Sequence, residues 1–118
     1  MAQYLHLPIY KRAYELCLFI HVATQAFSKS HKYAIGTGMR NKSMEIVSIV
    51  IETNSMREKA PKLEQLLLAI EQMNVYARLA HDMDNCVSTK QYERMVLLTV
   101  DIARQAEGWK KSVLPGMK

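Results

Sequence analysis

Cys17 and His21 are the residues of this sequence whose types and spacing come nearest to a metal site. A thiol and an imidazole four residues apart lie on one face of a helix, where both could touch one metal ion. A structural zinc site needs four ligands, however, and Cys17 sits in an apolar pattern at helical spacing, where a free cysteine behaves as a small hydrophobe. We therefore predict that this pair packs in the core.

The remaining residues do not assemble a catalytic pattern. His6, His31 and His81 are spread over different segments, and the sequence contains no Glu-x-x-His motif of the kind that binds iron in helical bundles. The stretch Gly36-Thr37-Gly38 lacks the context of a phosphate-binding loop. Catalysis needs titratable groups that converge in a pocket. The sequence therefore predicts a protein that is not an enzyme, with no metal and no cofactor, which acts by binding.

The sequence does contain an excess of basic residues that could bind a polyanion. Lys and Arg total 16 against 11 Asp and Glu, which gives a formal net charge of +5. A small domain this basic favours polyanionic partners, either nucleic acid or an anionic membrane surface, although a basic protein without such a partner is the alternative. Lys90, Arg94, Arg104 and Lys111 recur at helical spacing, with Asp101 interrupting them. These side chains can neutralise phosphates, and a merely solvated helix face is the alternative.

Two smaller basic clusters lie where the chain turns between helical segments. Lys29, His31 and Lys32 form the first, and Arg57, Lys59 and Lys62 form the second. The overall excess of positive charge favours a nucleic-acid partner over a merely solvated surface.

Four segments with helical periodicity must position these residues. The chain of 118 residues has the length of one domain, 1–118, and only 4 Gly and 3 Pro interrupt it. Short connections between long helices predict an all-α, antiparallel up-down-up-down four-helix bundle. The predicted helices run from Leu7-Pro8 to Ser28-Lys29-Ser30, from about Tyr33 to Asn54, from Ala60-Pro61 to near Met83-Asp84-Asn85, and from a capping box at Ser88-Thr89-Lys90-Gln91 to Pro115-Gly116.

Each segment carries one apolar stripe at alternating steps of three and four residues, which suffices for the core of a monomeric bundle. The predicted core positions are Ile9, Ala13, Leu16, Ile20, Ala23, Phe27, Met39, Ser43, Ile46, Val50, Thr53, Leu63, Leu66, Ile70, Met73, Ala77, Ala80, Tyr92, Met95, Thr99, Ile102, Ala106 and Trp109. Helices one to three carry further apolar residues outside these stripes, namely Tyr10, Tyr14, Phe19, Val22, Met44, Ile49, Leu68, Val75, Tyr76 and Leu79. Such a surplus predicts a second buried surface, which is most simply a subunit interface of a homo-oligomer.

The sequence also predicts a cytoplasmic protein with no membrane span. Cys17 and Cys86 form no disulfide framework, and the N-terminus lacks the pattern of a signal peptide. The longest run without charge, from Leu16 to Ser28, is too short to cross a bilayer.

Several short motifs in the second half of the chain resemble one family. These are Tyr-Ala-Arg-Leu-Ala-His-Asp-Met at 76–83, Val-Ser-Thr-Lys-Gln-Tyr-Glu at 87–93, Asp-Ile-Ala-Arg at 101–104 and Gly-Trp-Lys-Lys-Ser at 108–112. In this order they resemble the accessory variability determinant (Avd) proteins of diversity-generating retroelements. The opening Leu7-Pro8 and the basic turn from Lys29 to Gly36 fit as well. Ala103 and Glu107 depart from the family pattern, which often has glycine at the first position and usually has it at the second.

The resemblance implies a homopentameric barrel of four-helix bundles with a basic surface. It implies binding to the retroelement's reverse transcriptase and to nucleic acid, RNA or DNA, in support of mutagenic reverse transcription. Arg78 matches the arginine of the family's third helix, and Arg104 that of the fourth. The predicted binding residues are therefore Arg78, Arg104, Lys90, Arg94 and Lys111. An ion pair within or between subunits is the alternative role for Arg78.

Two other functions remain open. Four-helix proteins encoded in ribosomal RNA intervening sequences are the first, although their Asn-Ile-Ala-Glu-Gly motif is absent and Glu52-Thr53-Asn54 is a poor substitute. A structural oligomerisation module with no nucleic-acid role is the second. Salt-sensitive RNA binding would separate the retroelement and intervening-sequence functions from the structural module.

Overall fold

The computed structural model describes residues 3–114 and contains four long α-helices. They are α1 (Pro8–Gln25), α2 (Thr37–Ser55), α3 (Ala60–Asp82) and α4 (Thr89–Val113), and a 3-10 helix at Gln3–His6 precedes α1. The described residues contain no β-strand, and none of their helices is long and apolar enough to cross a membrane. The predicted all-α class is confirmed. The helix breaker predicted at Pro115-Gly116 lies outside the described residues.

The four helices form a square in which each contacts two neighbours. α1 lies against α2 and α4, and α3 lies against the same two helices from the opposite corner. Arg12 contacts Asp101, whereas Glu15, further along α1, contacts Arg94, earlier in α4. Such crossed pairing requires antiparallel neighbours, and the pairs Lys42–Gln72 and Lys62–Glu52 require the same of α2 and α3. The arrangement is that of an up-down-up-down bundle.

The predicted apolar stripes form the core. All of the predicted core positions are buried except Tyr92 and Trp109, which are half-buried at the edge. Ile49, which we expected outside the stripe, is only 2% exposed and belongs to the core. Because each helix contacts two neighbours, its buried face is wider than one stripe. Ala69 and Leu98 are buried for the same reason.

The start of the second helical run differs from the prediction. Helical structure begins at Lys29–His31, continues as a π-helix at Lys32–Gly36 and leads directly into α2. The carbonyl of Lys32 accepts hydrogen bonds from Arg40 Nη2 at 3.3 Å and from Thr37 Oγ1 at 3.4 Å. These side chains stabilise a turn whose backbone register departs from that of an α-helix. Hydrophobic periodicity gives no signal for such a departure.

Two caps fix the connections between the helices. Ser88 Oγ accepts a hydrogen bond from the Gln91 N–H at 3.1 Å, and Gln91 Oε1 accepts one from the Ser88 N–H at 3.0 Å, which confirms the predicted capping box. At the C-terminus of α2, Lys59 Nζ donates to three backbone carbonyls, those of Thr53, Asn54 and Met56. This ammonium satisfies carbonyls that have no partner within the helix.

The contact between α2 and α3 is close at Gly38. A methyl group added there would lie 2.5 Å from Cε1 of Tyr76. We expect Gly38→Ala to lower the free energy of unfolding by about 1–3 kcal/mol, because the tyrosine ring must move out of a packed contact. Urea unfolding followed by circular dichroism measures this change.

Gly108 in α4 provides the matched control, because a methyl group added there has no neighbour within 4 Å. Alanine is the better helix former, so we expect Gly108→Ala to raise the free energy of unfolding by about 0.5–1 kcal/mol. Equal shifts for the two substitutions would contradict the close approach of α2 and α3 at Gly38.

Candidate nucleic-acid interface

Helix α4 carries four of the five predicted binding residues, and the structure divides them into two groups. Lys90 and Arg94 lie near its start beside α1, whereas Arg104 and Lys111 are exposed further along the helix. The fifth residue, Arg78, lies on α3. The capping box and the buried stripe of Met95, Ile102 and Ala106 fix the rotation of α4, and with it the direction of these cations.

Lys90 and Arg94 line one surface groove between α1 and the start of α4. The groove has a volume of about 460 Å³, and Phe19, Ser88 and Gln91 complete its lining. The aromatic ring contributed by α1 gives the groove an apolar wall beside two cations.

Arg94 belongs to an ion-pair chain that joins α1 to α4. Arg94 binds Glu15, Arg12 binds the same carboxylate, and Arg12 Nε also donates to Asp101 at 2.8 Å. The hydrogen bond to Asp101, followed by that to Glu15, raises the pKa of Arg12 above its usual value. The positive charges of the two arginines are balanced by the negative charges of the two carboxylates, so Arg94 adds little net charge to the surface. Asp101 faces α1 in this chain and does not interrupt the exposed part of the predicted stripe.

Arg78 forms an ion pair within the subunit. Its Nε donates to Asp82 Oδ2 at 3.0 Å, one turn further along α3, and this hydrogen bond is the main cause of a raised pKa at Arg78. Since the arginine side chain is 66% exposed, the pair adds little to stability. The ion pair that we gave as the alternative for Arg78 is therefore present within the subunit.

Lys90, Arg104 and Lys111 differ from these arginines in having no ion pair or side-chain hydrogen bond with any other residue between 3 and 114. Lys110, next to Lys111, shows the contrast: its Nζ lies 2.5 Å from Glu64 Oε2, and this contact raises its pKa. The cations of α4 that have no carboxylate within 4 Å are thus Lys90, Arg104 and Lys111, which span about 30 Å along the helix, and Glu93 and Glu107 are the acidic residues of α4 that have no ion pair with another residue between 3 and 114.

A second group of cations lies at the same end of the bundle as Lys90. His31 Nε2 lies 3.3 Å from Asp84 Oδ2, which brings the Lys29–Lys32 turn beside the connection that leads into α4. The sequence pattern identified the cluster at 29–32 but gave no signal for this contact, because the residues are 53 positions apart. It also gave no signal that Phe19 faces the basic groove.

The Cys17–His21 pair is half-buried at the edge of the α1–α2 contact, so the prediction that it packs in the core is wrong. Cys17 Sγ lies 3.7 Å from His21 Nδ1, while Nδ1 lies 2.8 Å from the backbone carbonyl of Cys17, which accepts its proton when Nδ1 is protonated. Leu18 and Met44 line the same shallow cavity. Within residues 3–114, His, Cys, Asp and Glu side chains nowhere form a group of three that could hold a metal ion.

Much of the predicted surplus of apolar residues is exposed in two stripes. One stripe on α1 consists of Tyr14, Val22 and Leu18, the last of which the sequence analysis missed, and one on α3 consists of Leu68, Val75 and Leu79. These helices occupy diagonal corners of the square, so the α1 stripe and the α3 stripe lie on separate parts of the surface. Met44 is exposed as predicted, whereas Tyr10, Phe19 and Tyr76 are half-buried.

Helix α4 adds exposed apolar residues that the sequence analysis missed, Leu97 and Val100. Val100 and Leu68 line a groove of about 470 Å³ between α3 and α4, together with Ala103 and Glu107. The two departures from the family pattern therefore lie in a surface groove beside the α3 stripe.

Comparison with known proteins gives one match. A family model described as bAvd-like matches residues 7–113, a range that includes all four helices and the predicted binding residues. No curated protein and no solved structure gives a significant match to the chain. The family match agrees with the motifs at 76–83, 87–93, 101–104 and 108–112, which resemble accessory variability determinant proteins. The chain belongs to the bAvd-like family.

Proposed function

We propose that this protein is a non-catalytic accessory protein of a diversity-generating retroelement. It acts in the cytoplasm, where it binds the element's reverse transcriptase and nucleic acid and supports mutagenic reverse transcription. Membership of the bAvd-like family supports the accessory role. The observation that carries nucleic-acid binding is the charge of α4, where Lys90, Arg104 and Lys111 have no acidic partner among residues 3–114.

The proposed binding is electrostatic and directed at the phosphate backbone. Cations on a capped, packed helix are held at fixed spacing, so they replace the counterions of a polyanion with little loss of their own freedom. Arg78 and Arg94 take a secondary part, because each already has a carboxylate partner within 4 Å. Backbone contacts position a strand without reading its sequence.

The proposed assembly is a closed ring, a homopentamer as the family resemblance implies. The α1 stripe and the α3 stripe lie on different helices and differ in composition, so contact of one with the other is heterologous. A heterologous contact forms a closed ring when the rotation from one subunit to the next is a whole-number fraction of a full turn. A ring would also repeat the unpaired cations of α4 once per subunit, which multiplies the charge presented to one nucleic acid.

Co-purification tests the proposed function most directly. The purified protein is incubated with the reverse transcriptase encoded beside it, with and without template RNA, at two salt concentrations. Salt-sensitive co-purification of both partners supports the proposal. RNA binding without the polymerase would favour a protein of the ribosomal RNA intervening-sequence type. Binding to neither, by a folded oligomer, would favour a structural module.

Single substitutions on α4 test the proposed contacts. We expect Lys90→Ala, Arg104→Ala and Lys111→Ala each to lower the slope of log K against log salt by about 0.7 for single-stranded RNA, because each removes one phosphate contact. Fluorescence anisotropy over a salt series measures the slope. Lys110→Ala is the matched control, since it removes the same charge from a residue already paired with Glu64. Identical slopes for Lys110→Ala and Lys111→Ala would refute the role of the unpaired cations.

Paired substitutions test the heterologous contact. We expect Leu18→Asp in the α1 stripe and Val75→Asp in the α3 stripe each to give monomers, because every subunit then lacks one half of the contact. Both residues are exposed, so the bundle should still fold. An equimolar mixture should form heterodimers, because one intact α1 stripe meets one intact α3 stripe. Light scattering measures the masses, and dimers in either variant alone would contradict a heterologous ring.

A further inference from the structure

We propose that Tyr33 is a stacking site for one unpaired base of a single-stranded nucleic acid. The site lies at the end of the bundle that carries Lys29, Lys32 and Lys90. This inference rests on the proposed nucleic-acid binding and adds a contact to the base, which phosphate contacts alone do not provide.

Tyr33 is unusual among the aromatic residues in its exposure. Its side chain is 69% exposed, more than any other large apolar side chain in residues 3–114. Tyr4, Tyr10, Tyr14 and Tyr92 lie against other rings, and Tyr76 packs over Gly38. Tyr33 takes part in none of the aromatic contacts within that range. Its ring is therefore open to a planar partner.

The backbone that carries Tyr33 is held in place. The π-helix at Lys32–Gly36 buries Ile35 and Gly36 while Tyr33 faces solvent. Arg40 donates to both the Lys32 carbonyl and Thr37 Oγ1, so the turn is tied to the first turn of α2. A Cβ added at Gly36 would lie 3.3 Å from the His31 carbonyl, which shows how tightly this turn packs. Because the backbone is already ordered, stacking on Tyr33 requires little further ordering of the protein.

The charges around Tyr33 favour a polyanion. Lys32 precedes it directly and Lys29 lies about one turn earlier, and neither has an ion pair with another residue in the described range. The His31–Asp84 contact joins this turn to the connection that leads into α4 and Lys90. An exposed aromatic ring among cations that track a backbone is the pattern by which proteins bind single strands. A base inside a duplex has both faces stacked on neighbouring base pairs, so it cannot present a face to the ring.

The position of Tyr33 separates it from the proposed subunit contacts. The α1 stripe and the α3 stripe lie on the long sides of the bundle, whereas Tyr33 lies in the connection between α1 and α2 at one end. An occupant of this site therefore need not compete with a second copy of the chain.

The experiment compares two probes, a short oligoadenylate and an RNA duplex of the same length, at one salt concentration. Stacking on one base contributes enough that we expect Tyr33→Ala to weaken binding of the oligoadenylate by about 5- to 100-fold. Binding of the duplex should not change. Tyr33→Phe should retain the affinity, since the ring face remains. Tyr33→Leu is the matched control, since it keeps apolar area without a ring, and it should behave as Tyr33→Ala.

Each other outcome overturns a defined part of the argument. If the unsubstituted protein binds neither probe, the proposed nucleic-acid function fails and this site fails with it. If Lys90→Ala weakens both probes while Tyr33→Ala weakens neither, the function stands and the stacking site is refuted. Equal losses for both probes, or loss of reverse transcriptase binding alone, would also refute stacking. Circular dichroism and light scattering must first show that every variant keeps the fold and assembly of the parent.

Discussion

The exposed side chains of the four helices owe their direction to the burial of the apolar residues on the opposite side of each helix. Leu16 and Ile20 of α1, and Met95 and Ile102 of α4, are wholly inaccessible to solvent. Burial of each large side chain stabilises the fold by about 1.5–3 kcal/mol, so no helix can rotate about its axis without losing several kcal/mol. Once that rotation is fixed, the cations of α4 and the apolar stripes of α1 and α3 have fixed directions as well.

The features that could be predicted from the sequence are those that depend on a periodic pattern or on residues close together in the chain. A core that needs one face per helix repeats every three to four residues, which is why the positions from Ile9 to Ala106 could be identified before the structure was known. The capping box at Ser88 is a contact between residues three positions apart, so it could also be predicted from the sequence. Ile49 was misplaced because a helix with two neighbours buries more than one stripe.

Contacts between residues far apart in the sequence produce no such pattern, so they could not be predicted. The sequence showed five candidate cations but not which of them have partners, because Arg94 meets Glu15 across 79 positions and Lys110 meets Glu64 across the bundle. The π-helix was also invisible, since it depends on Arg40 and Thr37 reaching back to the Lys32 carbonyl. The family motifs pointed to Arg78 and Arg104 alike, and only the geometry distinguishes the paired arginine from the unpaired one.

The π-helix at Lys32–Gly36 has a consequence for how this chain can vary. A π-helix takes one more residue per turn than an α-helix, so the extra residue is absorbed in that turn and the helical segments on either side hardly move. The turn at Lys29–His31 and the bundle-forming part of α2 therefore keep the relative placement that a continuous α-helix one residue shorter would give them. Deleting a single residue between them would convert the π-turn into an α-turn, with Lys29 near its present direction and with Met39 and Ile46 still in the core. Related proteins can thus gain or lose one residue at this point without disturbing the packing of their helices.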